Sequence, residues 1–179
     1  MDHATIDPAV PAIDFVLGGA RSGKTRLALA RAEASGLAPV YIATATAADA
    51  EMAARVAAHR AERGPGWTTL EEPLELAGAL ARAAAPKRIL LVDCLTLWLS
   101  NLMFAERDIE AETAALVAAL RQLAGPAILV SNEGGLGIVP ENALARRFRD
   151  EQGRLNQAVA AAADRVTFVA AGLPLILKG

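Results

Sequence analysis

The stretch IDFVLGGARSGKTRLALARAEA, residues 13–34, decides the fold. It opens with a short β-type apolar run, IDFVL, turns through GGARSGKT, and continues into a helical pattern rich in Ala and Leu. The central eight residues fit G-x-x-x-x-G-K-[ST] and have the context that this motif requires, a strand before and a helix after. The glycines let the backbone wrap so that successive N–H groups converge on phosphate oxygens, and the helix N-terminus behind them adds unpaired donors and partial positive charge. Lys24 is placed to reach the β- and γ-phosphates, and Thr25 to offer a hydroxyl to Mg²⁺. Only three of the 18 basic residues are lysines, and one of the three falls here. Gly18, Gly19, Ala20, Arg21, Ser22, Gly23, Lys24 and Thr25 are therefore read as a nucleoside triphosphate site.

Outward from this loop the chain alternates. VYIAT (40–44) is a second apolar run. ADAEMAARVAAHRAER reads as a helix with Thr46 or Asp49 as N-cap, stopped by Gly64-Pro65-Gly66. EPLELAGALARAA (72–84) reads as a helix with Pro73 in its first turn. RILLVD (88–93) is a buried strand that ends on a carboxylate, and helices are expected over 95–105 and 109–124. AILVS (127–131) is taken as the fourth strand, followed by the Gly-rich loop NEGGLGIVP. The segment ENALARRFRDEQGRLNQAVAAAA repeats Leu144, Phe148, Leu155 and Val159 on one helical face. VTFVAAG and PLILK close the chain as two β-type runs around a Gly-Leu-Pro turn. Strands alternating with helices predict an α/β fold: a mostly parallel sheet flanked by helices, with the last pair adding an antiparallel edge.

The bulk numbers narrow the classes. At 179 residues one domain is expected, spanning 13–179, with residues 1–12 as a flexible leader. Hydrophobic residues make up 54% and aromatics 4%, so helices should pack closely through small side chains. A net charge of −2 argues against a general nucleic-acid or membrane-surface binder. The single cysteine, Cys94, fits a reducing compartment. The first residues lack the layout of a signal peptide, and no apolar stretch approaches the roughly 18 residues of a membrane span. The expectation is a cytoplasmic protein.

Two further positions carry chemistry. Asp93, at the carboxyl end of its strand, is placed to hold Mg²⁺ directly or through water, or else to cap the helix that follows. His59 shares a helical stripe with Arg55 and Arg63, with Arg60 beside it. Nearby cations disfavour imidazolium, so the ring keeps a lone pair near pH 7. Such a histidine is either a solvent-facing residue on a charged face or a nucleophile for phosphoryl or nucleotidyl transfer. Gly64-Pro65-Gly66 reads as a bend or hinge, and Trp67 as an anchor for that loop.

Together these pieces resemble the bifunctional adenosylcobinamide kinase / adenosylcobinamide-phosphate guanylyltransferase family of cobalamin biosynthesis. The matching stretches are GGARSGKT, YIATA, DAEMAARVAAHRAER…W with TLEEP after it, and NEGGLGIVPENALARRFRDEQGRLNQ, in the family's order from about residue 14. The resemblance implies a P-loop NTPase fold with a recombinase-like core and a homotrimer. It implies triphosphate binding at Gly18–Thr25 and backbone contact to the nucleotide at Ala43, Thr44 and Ala45. It makes His59 the guanylylated residue, Arg60, Ala61, Glu62 and Arg63 the adjoining nucleotide contacts, and Glu71 and Asp93 acidic contacts. ATP and GTP are the implied substrates, with Mg²⁺ at Thr25 and Asp93. The other partners are adenosylcobinamide and its phosphate; no nucleic acid is expected. Some members carry two adjacent histidines where this chain has Ala58-His59. The competing readings are another small-molecule P-loop kinase with His59 incidental, and a nucleotide-dependent switch or assembly ATPase.

Overall fold

The computed structural model describes residues 10–45 and 63–179. In chain order these form β1 (Ile13–Gly18), α1 (Lys24–Ala34), β2 (Ala38–Ala43), β3 (Thr68–Glu71), α2 (Leu76–Ala83), β4 (Arg88–Asp93), α3 (Leu95–Phe104), α4 (Ile109–Leu120), β5 (Ala127–Asn132), α5 (Ala143–Ala162), β6 (Arg165–Ala170) and β7 (Leu173–Lys178). One seven-stranded sheet has the order β3-β2-β4-β5-β1-β6-β7. All neighbours are parallel except β6 and β7.

The central strands are continuous runs of Ile, Leu and Val because both faces of the sheet are covered. Phe15 and Leu17 of β1, with Leu90 and Val92 of β4, face a core closed by α2–α5 and centred on the fully buried Trp98. The alternate residues, Val16, Ile89 and Leu91, face α1, which packs through Ala28 and Ala32, both 0% exposed. Close packing through alanine is thus realised at α1. Ahead of β1, Val10 rests on this second cluster, and the carbonyl of Ala12 accepts from Ala127 N at 2.9 Å.

Several local expectations change. TTLE (68–71) is a strand that the apolar runs do not announce, so AILVS belongs to the fifth strand and not the fourth. It has two β-branched threonines but only one large apolar residue. As an edge strand beside β2 it does not need a buried run. The helix expected from residue 72 begins at Leu76, and Pro73 lies ahead of it. The carboxylate of Glu72 accepts from Leu74 N at 3.1 Å and Glu75 N at 2.8 Å, which holds residues 72–75 in a turn before helical bonding starts. The last hairpin turns at Ala171-Gly172, with φ 51° and 78°, and not at Gly-Leu-Pro; Leu173 and Pro174 are already in β7. Two successive positive φ values match the twist of the flanking strands. On α5, Leu155 and Val159 are buried, Phe148 is half-buried, and Leu144 is exposed in the first turn.

Buried polar groups brace the carboxyl end of the sheet. Gln152 Nε2 donates to Ser131 Oγ and to Asn156 Oδ1, both at 3.0 Å; Asn156 Nδ2 donates to the carbonyl of Asn132 at 3.1 Å. These bonds lock α5 to the end of β5. Leaving one such buried group unpaired would cost about 1–3 kcal/mol.

Candidate active site

The carboxyl ends of the parallel strands lie along one edge. Register sets Ala43 beside both Glu71 and Asp93, and Gly18 beside Asn132. Ligands of open α/β sheets bind at this edge.

β1 delivers the chain into the loop at Gly18, where no side chain fits. A Cβ there would lie 2.5 Å from Ser22 Oγ and 2.6 Å from the carbonyl of Val169. The loop then folds back on itself: Ser22 N donates to the Gly19 carbonyl at 3.3 Å, and Gly23 takes φ 94° before α1 begins. The turn between β6 and β7 supports it from outside, with Gly172 N donating to the Ser22 carbonyl at 2.8 Å. Lys24 is 9% exposed, and its ammonium donates to the Gly19 carbonyl at 2.9 Å. Burial draws this ammonium below the ordinary lysine range, and the neighbouring Cys94 and Asp93 side chains oppose that shift. An open cleft of about 860 Å³ starts at Arg21–Thr25 and runs along α1 to Glu33, walled opposite by Ala171 and Gly172.

Asp93 does not cap the helix that follows. The cap position of α3 is Cys94, with no side-chain capping bond. The Asp93 carboxylate instead accepts from the hydroxyl of Tyr41 at 2.9 Å. Burial raises the Tyr41 hydroxyl far above its usual range, and the charge and hydrogen bond of Asp93 add to this, so it stays a donor. Burial, then Asp93, pushes the Cys94 thiol up to about 11. Cys94 is thus a buried, protonated thiol rather than a nucleophile.

Thr44 fastens two strand ends. Its hydroxyl donates to the Cys94 carbonyl at 2.7 Å and accepts from Cys94 N at 2.9 Å. Asn101 Nδ2 donates to the Thr44 carbonyl at 2.8 Å and to that of Pro73 at 3.1 Å. The Ala43 carbonyl is taken by Glu72 N at 2.9 Å, while Ala45 is half-buried at the end of the described stretch. Glu71 is exposed at the end of β3.

His59, Arg60, Ala61 and Glu62, like the expected caps Thr46 and Asp49, lie outside the described residues. Arg63 is described and sits in a turn, 5% exposed, with Cζ 3.4 Å from the centroid of the Tyr41 ring. Trp67 meets the same ring edge-on and donates from Nε1 to Glu33 Oε1 at 3.3 Å, so it does anchor its loop. Glu133, at the start of the Gly-rich loop, is tied locally: its carboxylate accepts from Gly135 N at 2.6 Å, and its own N donates to the Gly18 carbonyl at 3.0 Å.

The edge therefore brings Gly18–Thr25 and Asp93 together, with Glu71 two strands from Asp93. Tyr41, Thr44's hydroxyl and Asn101 were missed as organisers of the site. One signal was present for Tyr41: it is the only tyrosine in the chain, a polar hydroxyl within an otherwise apolar strand.

A family model described as cobinamide kinase / cobinamide phosphate guanyltransferase matches residues 14–177. The bifunctional adenosylcobalamin biosynthesis protein CobP of Pseudomonas aeruginosa is 56% identical over 168 residues, covering 93% of this chain and 97% of its own. CobU of Salmonella typhimurium, with the same description, is 42% identical over 181 residues, covering 92% and 98%. Among solved structures, the flagellar accessory protein FlaH of Methanocaldococcus jannaschii matches in fold with TM-score 0.53 at 11% identity, covering 97% of this chain and 85% of that one.

Proposed function

This chain belongs to the cobinamide kinase / cobinamide phosphate guanyltransferase family, and from that premise we infer how its residues divide two transfer reactions. The observation that carries the reading is Lys24: an ammonium folded into the phosphate loop, close enough to Asp93 to feel its charge. A nucleoside triphosphate bound by Gly18–Thr25 displaces the Gly19 carbonyl as the partner of that ammonium. The ammonium then offsets the charge that builds on the transferred phosphoryl group.

In the kinase step the terminal hydroxyl of the aminopropanol arm of adenosylcobinamide attacks the γ-phosphorus of ATP or GTP. A new P–O bond forms, the nucleoside diphosphate leaves, and the hydroxyl proton passes to a base. Asp93 is better suited to that edge than Glu133, whose carboxylate is occupied within its own loop. In the second step His59 attacks the α-phosphorus of GTP and pyrophosphate leaves. The phosphate of adenosylcobinamide phosphate then attacks the same phosphorus, the P–N bond breaks, and adenosylcobinamide-GDP forms. Splitting the transfer avoids a direct meeting of two polyanions.

Ala43, Thr44 and Ala45, Arg60–Arg63 and Glu71 extend the nucleotide site in this reading. Thr25 and Asp93 present the hard oxygen donors, a hydroxyl and a carboxylate, that suit Mg²⁺. When bound there, Mg²⁺ supplies charge neutralisation at the phosphate oxygens. The reading also takes residues 13–179 as one catalytic domain working as a homotrimer in the cytoplasm, with no nucleic-acid partner. The homotrimer rests on the family resemblance, and the charge of −2 fits the absence of a nucleic-acid partner; among the described residues no helix is long and apolar enough to cross a membrane.

The test uses α-labelled GTP. Wild type is expected to form an acid-labile, base-stable adduct that maps to His59. His59→Ala should lose the adduct and guanylyl transfer yet keep most kinase activity, while Lys24→Ala should lose both by roughly a hundredfold or more. Full guanylyl transfer by His59→Ala would refute the assignment.

A further inference from the structure

The cleft beside the phosphate loop is graded along α1. Arg26, Leu29, Ala30 and Glu33 line it at positions i, i+3, i+4 and i+7, so they form one stripe of the helix. The other side of α1 serves the fold: Ala28 and Ala32 pack on the sheet, and Arg31 pairs with Asp14. At the loop end the lining groups are cationic, Lys24 and Arg26; in the middle they are apolar; at the far end stands a carboxylate. Glu33 follows Lys24 by nine residues, which is roughly 13 Å along a helix axis. The facing wall is mostly backbone. Gly172 has no side chain to close the cleft, and a Cβ there would lie 3.2 Å from Arg26 Nη2. The same turn is fastened to the loop by its bond to the Ser22 carbonyl. The carboxylate at the far end is also held in place. Trp67 Nε1 donates to Glu33 Oε1 at 3.3 Å, and Trp67 in turn meets the Tyr41 ring with centroids 6.2 Å apart.

Resting on the reading that Gly18–Thr25 hold the phosphates of a nucleoside triphosphate, we propose that this cleft takes the ribose and base of that nucleotide, and that Glu33 selects guanine. Polarity runs in matching order along the two partners. The phosphates lie against Lys24 and Arg26, the sugar and ring pass over Leu29 and Ala30, and the base edge points toward Glu33. The edge of guanine carries two adjacent donors, N1–H and the exocyclic 2-amino group. A carboxylate accepts through two oxygens with about four lone-pair sites in all, enough for both donors beside the Trp67 bond. Adenine sets an unprotonated N1 at the corresponding place and has no 2-amino group, so a carboxylate oxygen there meets a lone pair. Glu33 is thus a specificity-determining residue that touches the base and not the reacting phosphorus. GTP is then the preferred phosphoryl donor of the kinase step, and ATP the poorer one.

Nucleoside diphosphates with Mg²⁺ test this on the full chain, since they carry the base but no γ-phosphoryl group to transfer. Calorimetric titration of wild type should give an affinity for GDP about tenfold above that for ADP. Glu33→Gln should weaken GDP binding about tenfold and leave ADP within about twofold. It should also reverse the order of GDP and xanthosine diphosphate, whose 2-oxo group accepts from an amide N–H but is repelled by a carboxylate. Glu33 is exposed in the last turn of α1, and glutamine keeps an acceptor for Trp67, so neither misfolding nor a lost brace mimics that reversal. In the phosphoryl-transfer assay the exchange should raise KM for GTP about tenfold with kcat within about twofold; a fall in kcat at unchanged KM would overturn the role as base reader. Equal GDP and ADP affinities in wild type, or a GDP preference that survives Glu33→Gln, would also overturn it, while the measured binding still upholds the phosphate loop. A wild type that binds no diphosphate, or a Lys24→Ala variant that binds them as tightly as wild type, would remove the phosphate-loop reading and the inference with it.

Discussion

Two aspartates on this sheet are held in opposite ways. Asp14, in β1, is 1% exposed and saturated. Arg31 Nη1 donates to its two oxygens at 3.1 and 3.0 Å and to Thr167 Oγ1 at 3.0 Å, and Arg165 pairs with the same carboxylate from β6. Burial lowers Arg31 below the ordinary guanidinium range, and Asp14 opposes that shift. Asp93, at the end of β4, has among the described residues one neutral donor, the Tyr41 hydroxyl, and a lysine nearby that is bonded elsewhere. A carboxylate locked between two fixed cations ties β1, α1 and β6 together and has little capacity for anything that arrives. One steadied by a phenol keeps its charge for a ligand. The same side chain serves as structure in one place and as chemistry in the other, and its partners make the difference.

The sharpest way to break this contrast is Asp14→Ala. It leaves two largely buried guanidinium groups without a counter-charge and should lower stability by about 3 kcal/mol, read as a fall in the urea midpoint with an unchanged slope. A loss well under that would mean that the cluster is not what joins the three elements. Asp93→Asn should behave in the reverse sense. Stability should stay within about 1 kcal/mol, while the kinase rate falls roughly tenfold to a hundredfold, measured as phosphoryl transfer to cobinamide. Equal damage to folding and activity would erase the distinction.

A smaller effect comes from Cys94, whose thiol lies between the Asp93 charge and the core. Its folded value, about 11, stands above the ordinary 9.0 of a thiol. The folded state therefore holds its proton more tightly than the unfolded chain does. The stability this gives is fully present below about pH 9 and is lost as pH rises through about 11. Urea unfolding at pH 8 and pH 10.5 should show a larger decline in wild type than in Cys94→Ala, and parallel declines would place the shift elsewhere.

Much of this was legible from residue order. The strand-loop-helix of 13–34 has the right residue types at each position, and the local backbone obeys them: Gly18 because a side chain there would strike Ser22 and Val169, Lys24 because it opens α1. RILLVD coincides with β4 to its ends because a strand buried on both faces carries a continuous apolar run. β3 leaves no such signal because an edge strand has no such run, and the place of Pro73 ahead of α2 depends on the Glu72 carboxylate, whose contacts no sequence pattern displays.

By itself the sequence determined the phosphate loop, the alternation of strands and helices, and the family, since each is written in contiguous residues or in motifs whose order along the chain suffices. Only the tertiary structure decided that Tyr41 joins Asp93 to Arg63, that Thr44 fastens β2 to β4, and that Asp14 belongs to the framework while Asp93 faces the nucleotide edge. Those assignments join residues 17 to 151 positions apart. Local propensity reports on neighbours along the chain, whereas a buried charge is governed by whatever the fold sets within a few ångströms of it.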